Sequence, residues 1–168
     1  VASTPPRGFS ITYPQSNKQL KEQPLYLNVT FEADPDNDPI NISYYINGIL
    51  NQTSLVNTTL NASDGAYILN ISISDGVNTH DNISINFTID TTFPIINATL
   101  NKTITNITVN DIINISANAT DNLGLSFGQI IVNISGYKNY FKFSLDGATS
   151  AKFSQNITIN VTRGNVNN

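Results

Sequence analysis

The sequence predicts an all-β chain, and three observations predict it. Apolar and polar residues alternate with a period of two over many short segments, tight-turn dipeptides fall between those segments, and helical spacing of apolar residues is nowhere sustained. Residues 68–74 read Ile-Leu-Asn-Ile-Ser-Ile-Ser and residues 82–89 read Asn-Ile-Ser-Ile-Asn-Phe-Thr-Ile. Residues 112–117 read Ile-Ile-Asn-Ile-Ser-Ala, and 156–162 read Asn-Ile-Thr-Ile-Asn-Val-Thr. A strand turns successive side chains to opposite faces, so each segment buries Ile, Val or Phe and exposes Asn, Ser or Thr. Ile, Val and Thr also favour the pleated backbone.

The punctuation agrees. Asn47-Gly48 lies between Ile-Ser-Tyr-Tyr-Ile and Ile-Leu, and that dipeptide readily takes the left-handed conformations of a tight hairpin. Asp64-Gly65, Asp75-Gly76 and Asp146-Gly147 mark three further turns. Short strands spaced about 8–12 residues apart point to a sandwich or barrel.

The chain also repeats itself. Strand Leu25 to Ala33, acidic loop Asp34 to Pro39 and strand Ile40 to Asn47 are echoed by strand Ile112 to Thr120, a loop opening at Asp121 and strand Gln129 to Ser135. The offset is about 87 residues, a plausible length for one sandwich module. The expected organisation is an N-terminal extension over 1–8, a first module over 9–90 and a second over 91–168. The first has two strong strands after Asp64-Gly65. The second has room for one after Asp146-Gly147, so it is expected to lack at least its last strand within this chain. A sandwich without that strand exposes unpaired backbone and a strip of core, which invites strand addition. The partners this implies are other copies of the chain or neighbouring modules of a longer one.

Composition narrows the function. Among 168 residues only 12% are charged, and 26 Asn, 18 Thr and 15 Ser supply the polarity instead. A net charge of −4 with 8 scattered Lys and Arg argues against nucleic acid, which needs clustered cations. No apolar run approaches the roughly 20 residues of a membrane helix, so no membrane insertion is expected. Cysteine is absent, so no disulfide framework exists and each module stands on its own core.

The most abundant motif is Asn-x-Ser/Thr, the acceptor sequence for N-linked glycans. It begins at Asn28, Asn41, Asn51, Asn57, Asn61, Asn70, Asn82, Asn86, Asn97, Asn101, Asn106, Asn114, Asn118, Asn133, Asn156 and Asn160. These 16 sites compare with about 5 expected from chance placement. Strand alternation accounts for part of the excess, because exposed positions filled with Asn, Ser and Thr generate Asn-Ile-Ser automatically. It does not account for the avoidance of Lys, Glu and Gln at those positions. N-linked glycans are therefore expected partners of this surface.

The acidic loop carries Asp34, Asp36 and Asp38, with Glu32 and Asn37 nearby. Two readings stand: a solvated turn whose Asp side chains cap backbone N–H groups, or a Ca²⁺ site. In a sandwich this loop lies at the same end as residues 75–81, where Asp75 and Asp81 can contribute. No other cofactor is expected. Catalysis has no foothold: the single His80 follows a turn, no Cys offers a nucleophile, and no Gly-x-Ser-x-Gly occurs. The chain therefore reads as a non-enzyme. Tyr44 and Tyr45 are adjacent in a strand, so one faces inward. The outward one, with Tyr26 or Tyr137, is a candidate sugar-stacking platform, but core filling or a module contact is the favoured use, and the absence of Trp weakens the platform further.

Several of these features together resemble a family. Asp34-Pro35-Asp36-Asn37-Asp38-Pro39 between two strands, Ser-Asp-Gly before Val77, and Asp90-Thr91-Thr92-Phe93-Pro94 at the module junction resemble the immunoglobulin-like and PKD-like repeats of archaeal and bacterial cell-surface proteins. Residues 117–125 resemble the corner after the second strand of such repeats. The resemblance implies two tandem immunoglobulin-like β-sandwiches in an extracellular setting. Two function classes fit it: a structural module of a surface assembly or filament, and an adhesive, carbohydrate- or calcium-binding module of a surface protein or secreted enzyme. Asp64-Gly65-Ala66-Tyr67 before a strand also resembles a tyrosine corner, in which the Tyr hydroxyl bonds back to upstream backbone.

Overall fold

Alternation becomes strand over most of the segments that carry it. The structure, a computed structural model, describes residues 3–134 and 137–160, apart from the side chains at 80–82, 104 and 137. Its regular elements are β-strands and one 3₁₀ turn, Ile104–Asn106. The chain divides into two compact units, Val1–Thr91 and Thr92–Asn168.

The first unit holds β1 (Ser10–Tyr13), β2 (Lys18–Leu20), β3 (Leu25–Thr30), β4 (Asn41–Ile46), β5 (Ile49–Ser54), β6 (Thr58–Leu60), β7 (Gly65–Ser74) and β8 (Thr79–Ile89). They form a three-stranded sheet ordered β1-β3-β6 and a five-stranded sheet ordered β2-β8-β7-β4-β5. All pairings are antiparallel except β2 with β8. The period-2 pattern decides what lies between the sheets. β3 turns Leu25, Leu27 and Val29 inward, and these meet Ile42, Tyr44, Leu69, Ile71, Ile73, Phe87 and Ile89 from the larger sheet. The arrangement is that of a β-sandwich around one core. Each such side chain contributes about 1.5–3 kcal/mol by leaving water, and no disulfide assists. Burial also pushes the Tyr44 hydroxyl up to about 12, so it stays neutral and fits an apolar interior.

Turn chemistry closes the unit as the sequence predicts. Asn47 (φ 51°) and Gly48 (φ 81°) are both left-handed and join β4 to β5, as a two-residue hairpin with right-handed strand twist demands. Asp75 N–H donates to the Asn78 carbonyl at the β7–β8 turn. The Tyr67 hydroxyl donates to the Ser63 carbonyl at 2.7 Å, the bond expected of a tyrosine corner.

The second unit holds β9 (Ile95–Leu100), β10 (Ile112–Ile134) and β11 (Tyr137–Thr158) in one sheet ordered β11-β10-β9. Two expectations are corrected here. The loop expected at Asp121 and the turn expected at Asp146-Gly147 do not separate strands. Both are corners within continuous strands. Thr120 pairs with Ser150, Leu125 with Ala148 and Phe127 with Ser144, so residues 121–124 stand opposite residue 149 and residue 126 opposite residues 145–147. Asp146 (φ 49°) and Gly147 (φ 79°) adopt turn-like conformations, but the flanking residues remain paired and the outcome is a bulge. The Asp121 carboxylate accepts the N–H groups of Leu123 (2.9 Å) and Gly124 (3.0 Å), supplying bonds the ladder no longer provides. A Cβ on Gly124 would meet the Gly147 carbonyl oxygen at 2.6 Å, so only glycine allows the two backbones this close. The bent sheet gathers Ala117, Ala119, Leu125, Ile130 and Phe153 into a second, smaller core, with Phe143 and Phe153 ring centroids 5.1 Å apart. The last expected strand runs to Thr162; β11 ends at Thr158, and residues 161–168 lie outside the described residues.

Candidate functional site

Three features of this fold bear on function: an acidic loop, the glycan-acceptor asparagines and an apolar groove. The acidic loop joins β3 to β4. Asp34 is only 6% exposed. Its Oδ1 accepts the N–H groups of Asp36 (2.9 Å) and Asp38 (3.1 Å), and its carbonyl accepts that of Asn37, whose φ of 60° tightens the turn. These bonds draw the chain around the first carboxylate, so oxygens of Asp34, Asp36 and Asp38 come within 4.8 Å of one another. The Asp34 Oδ2 is buried and has no hydrogen-bond partner. Glu32 stands outside the cluster, and its N–H donates to the Arg7 carbonyl.

The segment before β1 folds over this loop. Thr4 N–H donates to Asp36, and the Ser3 hydroxyl lies between Asp38 Oδ2 (3.3 Å) and Asp75 Oδ2 (3.1 Å). Asp75 therefore joins the loop from the β7–β8 turn, as the sequence suggests; the Asp81 side chain lies outside the described residues. Hydrogen bonds from the Asn78 side chain and backbone, then from Val77 and Ser3, hold the Asp75 carboxyl down to about 2 against the opposing effect of burial. Because the folded value lies below the ordinary 3.8, Asp75 stabilises the fold fully above that value and loses this contribution as pH falls toward 2. Denaturant unfolding of the first unit followed from about pH 5 to pH 2 is expected to show this loss, and Asp75→Asn to flatten that part of the profile.

The glycan-acceptor asparagines lie along outer faces and loops. Asn41, Asn51, Asn57, Asn61, Asn86, Asn97, Asn101, Asn106, Asn118, Asn133, Asn156 and Asn160 are exposed, while Asn28, Asn70 and Asn114 are half-buried. The side chain of Asn82 lies outside the described residues. Some already do structural work. Asn57 Oδ1 accepts Val29 N–H at 2.9 Å, which leaves Nδ2, the glycan attachment atom, for modification. Asn114 instead donates its Nδ2 to Asn156 Oδ1 at 2.7 Å. Asn97 and Asn118 stand directly opposite each other across β9 and β10, as Asn114 and Asn156 do across β10 and β11. Directly opposed residues are about 5 Å apart, so a glycan on one member of a pair crowds the other.

Tyr45 and Tyr26 lie on different sheets and so do not make a common platform. Tyr44 is fully buried and Tyr45 half-buried on the larger sheet, whereas Tyr26, 61% exposed, lies on the smaller one. The side chain of Tyr137 lies outside the described residues.

The sequence pointed to an unpaired edge and a strip of core in the second unit, but not to the residues that line it. In the second unit Ile96 and Ala98 of β9, their ladder partners Ala119 and Ala117 of β10, and Leu125 and Ile130 further along β10 line an apolar groove of ≈ 440 Å³. One wall ends at an open edge. In the first unit β4 pairs with β5 on one side and β7 on the other. In the second, residues 127–134 pair with residues 137–144, and among the described residues nothing pairs with their other edge. The one local signal is Ala-Asn-Ala at 117–119, where small inward residues leave room in the core.

No helix among the described residues is long and apolar enough to cross a membrane. No family model matches the chain, and no curated protein matches it.

Proposed function

We propose that the chain is a non-catalytic, N-glycosylated extracellular module of a cell-surface assembly or filament, built from two tandem immunoglobulin-like β-sandwiches. The sheet orders β1-β3-β6 and β2-β8-β7-β4-β5, with the Tyr67–Ser63 bond, support that reading of the first unit. In the second, β9, residues 112–120 and residues 148–158 correspond to β1, β3 and β6. Residues 125–134 and 137–144 correspond to β4 and β5. The counterparts of β7 and β8 have no match among the described residues, and the groove lies where they would pack.

That open groove is the observation that carries the proposal. An unpaired strand edge beside an apolar strip binds an extended strand: backbone N–H and C=O groups supply affinity, and alternate side chains fill the groove. The strand comes from another copy of the chain or from a neighbouring module of a longer one. The low surface charge favours close packing, since like-charge repulsion is weak. Glycans along the outer faces shield the remaining surface. Residue content supports the non-catalytic reading: the chain has one His and no Cys.

Light scattering of the native material tests the assembly directly. Glycosylated chains are expected at several times the 18.3 kDa of one polypeptide, falling toward single-chain mass when an excess of synthetic peptide with the alternation of β7 is added. Single chains at every concentration, indifferent to the peptide, would overturn the proposal.

A further inference from the structure

We propose that the loop joining β3 to β4 is a Ca²⁺ site in which Asp34, Asp36 and Asp38 supply the carboxylates. Clustered acids alone do not make a site, because solvated Asp-rich turns are common. The distinguishing observation is the Asp34 Oδ2. It belongs to a side chain only 6% exposed, it has no hydrogen-bond donor, and the loop's own bonds all fall on the other oxygen, Oδ1. A buried carboxylate oxygen without donor or cation is costly, and this one stands in a group whose other carboxylates are acceptors too.

The Ser3 hydroxyl sharpens the point. It lies within hydrogen-bonding distance of both Asp38 Oδ2 and Asp75 Oδ2 but has one proton to give. Asp75 Oδ2 already accepts the Asn78 side-chain amide at 3.0 Å, so Asp38 Oδ2 goes without whenever the Ser3 proton points to Asp75. Three carboxylates, those of Asp34, Asp36 and Asp38, thus converge in the loop, and Asp34 Oδ2 has no donor. A cation supplies the missing positive partner for all of them.

The ligand chemistry selects the ion. An all-oxygen set with no His or Cys suits a hard cation and not zinc. Oxygens bound to Ca²⁺ at 2.3–2.6 Å can lie up to about 5 Å apart across the ion, whereas Mg²⁺ at 2.0–2.1 Å draws opposite ligands to about 4.1 Å. Carboxylate oxygens within 4.8 Å of one another lie inside the span that the larger sphere allows. Backbone carbonyls and waters complete the 6–8 ligands that Ca²⁺ takes. The bound ion holds the loop carboxylates that Ser3 and Thr4 contact, and Ser3 links these to Asp75 of the β7–β8 turn, stiffening that end of the unit.

Calorimetric titration of the intact chain, stripped with a chelator, with CaCl₂ tests the site. One saturable site per chain is expected, with a Kd of about 10⁻⁴–10⁻³ M, about tenfold weaker binding of MgCl₂, and a higher melting temperature for the first unit. Asp36 is exposed and Asp38 half-buried, so Asp36→Asn and Asp38→Asn are expected to fold normally by circular dichroism. Each should weaken Ca²⁺ binding about tenfold or more. The absence of saturable heat up to about 10 mM CaCl₂, or wild-type affinity in the folded Asp36→Asn/Asp38→Asn double variant, would overturn the proposal. Assembly is a separate readout, so calcium binding and strand uptake can each fail with the other intact.

Discussion

Leu69→Ala is expected to destabilise the first unit by about 2–5 kcal/mol, the range for emptying a fully buried leucine site. Leu69 has no exposed surface, and it lies on β7, which is flanked by β4 on one side and β8 on the other. It pairs with Ile46 on β4 and Ile85 on β8, in the middle of the larger sheet. Nothing can collapse into the hole without bending a strand that is held on both edges. A domain of this kind has only about 5–15 kcal/mol in total, and no disulfide limits its unfolded state. The loss therefore takes a large share of the stability. Ile68, one residue earlier, turns to the outer face and is 45% exposed. Ile68→Ala is expected to cost under about 0.5 kcal/mol. Denaturant unfolding followed by hydrogen exchange resolves the two units, and the second should keep its midpoint in both variants. Equal costs for the two substitutions would mean that the register of β7 is wrong.

Ile96→Asp is expected to abolish assembly while leaving the chain folded. Ile96 lines the groove, yet it is 61% exposed in the isolated chain, so a carboxylate there stays hydrated until a strand docks. Docking then strips its water with no cation opposite. An unpaired charge in an apolar site costs several kcal/mol, which weakens assembly by at least about 100-fold. Ile95 is similarly exposed at 65% but does not line the groove. Ile95→Asp should assemble as the wild type does. The pair separates a groove effect from a general effect of added charge, and light scattering reads both.

What the sequence made legible was local. Residues 68–74 alternate because β7 has one buried and one outer face, and that pattern needs no knowledge of its neighbours. Asn47-Gly48 specified its hairpin because two consecutive left-handed residues suit little else. Tyr67 was legible for the same reason, its partner Ser63 being four residues away. The corners at Asp121 and Asp146-Gly147 were misread because turn and bulge use the same residues. Whether the chain reverses or merely bends depends on the strand alongside, which lies some 25 residues away in sequence. The parallel pairing of β2 with β8 joins residues about 70 apart and left no local trace. At the acidic loop, the spacing of Asp34, Asp36 and Asp38 was visible. The burial of Asp34 and the orphaned Oδ2 were not, since both depend on how residues 3–8 and the β7–β8 turn close over the loop. An open edge in the second unit was legible from the missing strand, but the residues lining the groove were not, because they depend on how β10 and β11 bend.

The account turns on that edge, and electron microscopy of the native material examines it most directly. Ordered filaments or a lattice are predicted, with density for an extended strand running along residues 125–134 and side chains entering the groove between Ile96 and Ile130. Dispersed single chains, or an ordered array whose contacts leave that edge bare, would contradict it.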